Sequence, residues 1–186
     1  PFAGIARAAF IAIQFLNSFI DVGIMTEKEY NKYLNSLNTV SKKLNDDLYL
    51  LSKDKISKDD FLDEYGHLRP GTYDILSPRY DDDFDKYFSL RKESTHNTEE
   101  FSFTDEQKCK INLYLSENGI ISNVEEILLF IREAIEGREY AKFIFTKSIS
   151  KILELIENFG SRFDIDKENL AYLDFNEILS LYATLD

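Results

Sequence analysis

Apolar residues recur at helical spacing along most of this chain. Phe2, Ile5, Ala6, Ala9, Ile13, Leu16 and Ile20 share one face, Pro1 suits a first turn and Gly23 supplies a stop, which predicts a helix from Phe2 to Val22. Thr26 followed by Glu29 is a capping box, and the stripe Tyr30, Tyr33, Leu34, Leu37, Val40, Leu44, Leu48 and Leu51 predicts a second helix reaching Leu51. The short linker between them implies antiparallel neighbours. Ser57 with Asp60 opens a third, from Lys58 to about Glu64. Asp81 to Asp83 favour a helix start that runs to about Leu90, and Thr104 with Gln107 caps another from Asp105 to Glu117, ended by Asn118-Gly119.

The longest element starts at Ser122 or Asn123. Val124, Ile127, Leu128, Ile131, Ile135, Phe145, Ile149, Ile152, Ile156 and Phe159 keep one face apolar up to Gly160, so this helix is roughly 50 Å long. Two short helices follow between Asp166 and Leu185, the second capped by Asp174 with Glu177. No alternating strand pattern and no internal repeat is present. The expectation is an all-α fold, an irregular bundle of six to eight helices with one long central helix.

Two stretches break the pattern. Arg91 to Ser102 (RKESTHNTEEFS) is polar and aperiodic, a surface loop in which His96 has no partner motif and reads as a solvated side chain. Tyr65 to Arg79 (YGHLRPGTYDILSPR) holds two of the three prolines. Arg69 and Ser77 each precede a proline and are pushed toward extended geometry, and Pro70-Gly71 is a type II turn pair, so this loop is built.

Composition narrows the functions. With 186 residues, 44% hydrophobic and 30% charged, the chain is globular, and its length fits a single helical domain over residues 1–186. A net charge of −12 repels nucleic acid and anionic lipid. Cys109 is alone, which fits a reducing compartment and a cytoplasmic location. Arg7, Gln14, Asn17 and Asp21 interrupt the first apolar run, which reads as a buried helix and not as a signal peptide or membrane span. The start at Pro1, already close to helix, suggests a piece cut from a longer polypeptide.

Candidate chemistry is cationic. His67, Arg69 and Arg79 concentrate positive charge in the loop, where guanidinium groups either hold an anionic ligand or another domain's acidic edge, or bind Asp74, Asp81, Asp82 and backbone carbonyls to fix the loop's shape. Arg138 and Lys142 fall on the long helix's apolar face, where a cation must pair, with Glu139 or an acid of the first two helices, or reach an anion-binding cleft. Arg7 raises the same question on the first helix. Metal-ligand spacing, a P-loop, a GxSxG elbow and any glycine-rich phosphate cradle are all missing from the sequence, so no catalytic residue and no metal ligand is nominated.

YGHLRPGTYDILSPRYDD resembles the YGHRGPGE-D-SPRW signature of the central helical region in phosphoenolpyruvate-utilising phosphotransferases, the group that contains phosphoenolpyruvate synthase and the rifampin phosphotransferases. PFAGIARAAFIAIQFLNSFIDVGIMTEKEY resembles the region before that signature, and REYAKFIFTKSISKILELIENFGSRF with DKENLAYLDFNEI the region after it. Leu68 and Arg69 stand where the commoner signature has Arg-Gly, and Thr72-Tyr73 replaces its acidic step. The resemblance implies a parent enzyme of the pyruvate, water dikinase type, which uses ATP and Mg and has an ATP-grasp domain and a swivelling phosphohistidine domain. Neither is present in these residues. The implied role is therefore an acceptor-binding or domain-docking region that is not catalytic by itself, with those two domains and a small-molecule acceptor as partners. A different reading of the same residues is a free-standing acidic helical adaptor for a protein partner.

Overall fold

A computed structural model of the protein describes residues 2–88, 100–174, 176 and 180. Among these residues there are eight helices and no strand: α1 (Phe2–Asp21), α2 (Glu27–Ser36), α3 (Val40–Ser52), α4 (Lys58–Tyr65), α5 (Phe84–Phe88), α6 (Asp105–Glu117), α7 (Val124–Ser161) and α8 (Lys167–Leu170). The fold is all-α with one long helix, as the periodicity predicts. The chain divides into two compact units, Pro1–Ser52 with Glu93–Phe143 and Lys53–Lys92 with Ile144–Asp186. His96, most of the polar loop around it, and the Glu177 arm of the last predicted cap lie outside the described residues.

The first unit is organised around one apolar cluster. Ala12, Leu16 and Phe19 of α1 meet Ile111 and Leu115 of α6 and Val124, Ile127, Ile131 and Ala134 of α7, with Tyr33 and Leu37 closing one side. Leu16, Phe19, Ile111, Leu115 and Ile131 are fully buried, each worth about 1.5–3 kcal/mol in transfer free energy. Helix α1 is long and apolar enough to cross a membrane by length and composition alone. The expected buried helix is buried on one face only: Ala9, Ala12, Leu16 and Phe19 are inside, whereas Phe2, Ile5, Phe10 and Ile11 are exposed.

The helix stops follow from backbone geometry. Gly23 and Gly119 have φ of +71° and +68°, the left-handed region that glycine enters without a Cβ penalty. At each, the residue after the glycine donates its N–H five residues back (Ile24 to Phe19 O, 2.8 Å; Ile120 to Leu115 O, 2.9 Å) and the glycine donates its own to Ile20 O and Ser116 O. These are Schellman closures, and they satisfy carbonyls that a helix end leaves orphaned.

The second predicted helix is in fact two. At Leu37 the backbone turns extended (ψ 146°), and the freed Asn38 N–H donates to the Glu136 carboxylate at 2.7 Å. The Thr39 hydroxyl then caps α3 by accepting from Lys42 N–H at 3.3 Å. The apolar stripe continues through this break: Leu34 and Leu37 pack in the core ahead of it and Leu48 of α3 is buried beyond it.

Gln107 joins elements that are distant in sequence. Its Oε1 accepts from Thr104 N–H at 3.0 Å, completing the α6 capping box, while its Nε2 donates to Ile24 O and to Glu29 Oε1, both at 3.1 Å. Gln107→Ala removes both arms and leaves the buried Ile24 carbonyl short of a donor. The expected loss is about 1–3 kcal/mol of unfolding free energy, seen as a lower urea midpoint at unchanged slope.

Candidate functional site

Helix α4 delivers the chain into the proline-rich loop. Ser57 and Asp60 form its capping box, and Phe61 and Tyr65 are buried at its inner face. Phe61 packs on Tyr65, Phe84 and Phe88 with ring centroids 4.9, 6.0 and 5.5 Å away, and Tyr80 meets Phe88 at 4.9 Å. This aromatic cluster fixes both ends of the loop on α4 and α5. Two backbone bonds then close it: Asp81 N–H to Gly66 O at 3.2 Å and Tyr80 N–H to Leu68 O at 2.8 Å. The closure needs a glycine, since a Cβ on residue 66 would lie 2.4 Å from Leu62 O and 3.0 Å from Asp81 Cβ.

Inside the loop, short polar side chains take up the backbone groups. Ser77 Oγ accepts from Gly71 N–H at 3.2 Å, Asp74 Oδ1 from Leu76 N–H at 2.9 Å, and Asp82 Oδ2 from Arg79 N–H at 3.0 Å. The expected type II turn at Pro70-Gly71 is absent. The turn bond is Asp74 N–H to Gly71 O at 3.0 Å, which puts Thr72 and Tyr73 at its centre, and Gly71 stays outside the positive-φ region. Gly71 serves close approach instead, because a Cβ there would meet Asp74 Cβ at 2.8 Å.

The loop's three nominated side chains lie along one row of α7. His67 Nε2 is 3.4 Å from Thr146 Oγ1, Arg69 Nη2 donates to Ser150 Oγ at 3.4 Å, and Arg79 Nη1 donates to Glu154 Oε2 at 3.1 Å. Positions 146, 150 and 154 are four apart, so the helix presents them one above another. This row corrects the predicted apolar stripe. From Phe143 onward the inward face is Thr146 and Ser150, both buried, while Phe145, Ile152 and Phe159 are 41%, 41% and 44% exposed. The row Thr146, Ser150, Glu154 is what the sequence reading missed, and its polar four-residue spacing was the available signal.

The two arginines are held differently. Arg79 forms ion pairs with Asp81 and Glu154, and its Nε donates to Asp81 Oδ1 at 2.8 Å. Burial by itself lowers the Arg79 pKa, but the carboxylates of Asp81, Asp82 and Glu154 reverse this and leave it raised. Among the described residues Arg69 donates only to neutral oxygens, Asp74 O at 3.3 Å and Ser150 Oγ at 3.4 Å, and its buried Nε has no partner. Burial and the Arg79 charge push the Arg69 pKa down from its ordinary value. Beside the loop lies a cavity of about 400 Å³ with Tyr73, Asp74 and Ile75 on one wall and Ile149, Leu153 and Ile156 of α7 on another.

Arg138, Lys142 and Arg7 belong to the other unit. Arg138 pairs with Glu139 at 2.6 Å and stacks its guanidinium 5.7 Å from the Phe10 ring centre, the paired arrangement that the sequence reading allowed. Lys142 and Arg7 are exposed, so neither is a cation on a buried apolar face. Among the described residues no group of three His, Cys, Asp or Glu side chains could hold a metal ion.

The contact of the loop with α7 also carries a pH dependence. The Glu154 carboxyl lies below its ordinary 4.5, held there first by the Lys151 ammonium (2.6 Å) and further by Arg79. A carboxyl depressed on folding stabilises the fold at pH above its unfolded value and loses that contribution as pH falls through its folded value. The unfolding temperature is therefore expected to fall more steeply below pH 4.5 in the unaltered protein than in Glu154→Gln, with the two curves converging in acid. No protein-family model, no curated protein and no solved structure matches this chain.

Proposed function

We propose that this chain is the central helical region of an ATP-dependent, phosphoenolpyruvate synthase-like phosphotransferase, binding an anionic acceptor or docking a phosphate-carrying domain without catalysing transfer itself. The observation that supports this reading best is the state of Arg69. Its guanidinium is partly desolvated, positioned by a closed loop and, among the described residues, met only by neutral acceptors at 3.3 and 3.4 Å. A charged donor held this way binds a carboxylate or phosphate more strongly than a carbonyl, since charge-assisted hydrogen bonds are roughly twice as strong as neutral ones. Arg79, already paired with two carboxylates, is assigned the bracing role. The ordered resemblance of the loop and its flanks to the phosphotransferase signature supplies the parent reaction, and positioning is what such a region contributes to it.

A second reading, an acidic helical adaptor for a protein partner, draws support from one further observation. Phe145, Ile152, Leu155 and Phe159 of α7 and Phe163 beyond it are exposed apolar side chains. In the first reading the same surface serves another domain of the parent enzyme.

The test is phosphotransfer by the polypeptide that carries this region together with ATP-grasp and phosphohistidine parts. Arg69→Gln should lower transfer about ten- to a hundredfold with an unchanged unfolding temperature, the loss expected for one hydrogen bond to a charged group. Arg79→Gln should instead lower the unfolding temperature. Normal turnover in a destabilised Arg69→Gln protein would reduce the loop to a brace, and a reading frame encoding neither additional part would remove the enzyme assignment.

A further inference from the structure

The C-terminal cap of α6 holds a reactive pair of residues in check. Asn118 is the only asparagine in the sequence followed by a glycine, and it is exposed. In such a pair the backbone nitrogen after the asparagine can attack the side-chain amide carbon, because glycine puts no Cβ in the way of the approach. The bond from Gly119 N to Asn118 Cγ forms and the Cγ–Nδ2 bond breaks. A cyclic imide, the succinimide, remains in the chain, and ammonia leaves, made of the Nδ2 amino group and the proton given up by the Gly119 nitrogen. Water then opens the ring. Attack at one carbonyl leaves aspartate at position 118, and attack at the other leaves isoaspartate, whose main chain runs through the side-chain carbon. Water is the single co-reactant.

The folded geometry opposes each part of this step. Asn118 has φ −94° and ψ 10°. Ring closure needs the Gly119 nitrogen swung round to the Cβ side of Asn118, and at this ψ it points away. The Gly119 N–H, which must lose its proton, donates to Ser116 O at 3.1 Å. The departing nitrogen, Nδ2, donates to Tyr114 O at 2.8 Å, which holds the side chain against the preceding turn. The Ile120 N–H closes the cap on Leu115 O at 2.9 Å. Leu115 is fully buried and Ile120 packs against the same apolar cluster, so the Gly119 nitrogen turns only if the cap opens.

The product also bears on the cap. An aspartate at position 118 has no Nδ2 donor for Tyr114 O, and it places negative charge at the end of α6 where the helix carbonyls already concentrate negative potential. An open cap permits conversion, and the converted residue recloses less well.

We propose that Asn118 is a deamidation site gated by the α6 cap, silent while the Schellman closure holds and converted during the fraction of time that the cap is open. The modification then records, in covalent form, how often this end of α6 opens. The proposal stands on the first unit alone and does not depend on the phosphotransferase reading.

It is tested by incubating the 186-residue chain and a peptide of residues 111–124 side by side at mildly alkaline pH. Digestion and mass spectrometry follow the mass gain at each asparagine, with isoaspartate measured in the same digests. In the folded chain, conversion concentrated at Asn118 is expected, about ten- to a hundredfold slower than in the peptide, the suppression that the cap's hydrogen bonds imply. Hydrogen exchange at the Gly119 and Ile120 amides should give an open fraction that matches this ratio. Ile120→Ala, which loosens the cap and keeps the Asn-Gly pair, should raise the folded rate several-fold and leave the peptide rate unchanged. The match to hydrogen exchange is required of this variant too, whether its opening is local or global. The converted chain, separated by its added negative charge, should unfold at a lower temperature than the unconverted one. Equal rates in chain and peptide would overturn the gating. Faster conversion at another asparagine, or a folded rate that does not follow amide opening, would overturn the site, and an unchanged unfolding temperature would overturn the effect on reclosure.

Discussion

A loop that folds without helix or sheet must still find partners for its backbone groups, and arginines drawn into it must find acceptors for the water they lose. The segment from Gly66 to Asp81 meets the first demand with two closing backbone bonds and with Ser77, Asp74 and Asp82 side chains. It meets the second against α7. Arg79 obtains carboxylates from Asp81 and Glu154, whereas Arg69 obtains a carbonyl and a hydroxyl. This inequality separates two residues that look alike in the sequence. One completes the scaffold, and the other is carried by it with bonding capacity to spare.

The inward turn of Thr146 and Ser150 follows from the same demand. Were the predicted stripe of Phe145, Ile152 and Phe159 to face the loop, the polar nitrogens of His67 and Arg69 would be buried against hydrocarbon. Small hydroxyls give those nitrogens hydrogen-bond partners and let the loop approach. Its consequence is that apolar side chains on the other side of this part of α7 are left exposed.

What the sequence made legible were features written in neighbouring residues. The capping boxes at Thr26–Glu29, Ser57–Asp60 and Thr104–Gln107 form as read, and Gly23 and Gly119 end α1 and α6. These depend on three- or four-residue geometry that any context preserves. The break at Asn38 was hidden because its compensating acceptor, Glu136, is remote in sequence, and the stripe gives no sign of it. The arginine cluster was legible as a departure from helical pattern, but which arginine was paired depended on Glu154. Tyr33 reads as one more core aromatic; that Phe101 and Phe103 close around its ring is visible only in the fold.

The row at Thr146, Ser150 and Glu154 has a consequence for how this helix can change. A helix advances 100° and about 1.5 Å with each residue, so substitution at one position touches one contact, but insertion or deletion of a single residue within the row turns the positions beyond it away from their partners. Gly160 adds a fourth dependent position, since a Cβ there would lie 2.7 Å from Leu170 Cδ1 of α8. The second half of α7 thus works as a ruler: its residue count constrains the loop as firmly as its residue identities do. Related chains that keep the loop should vary freely along the helix's outer face while holding its length fixed.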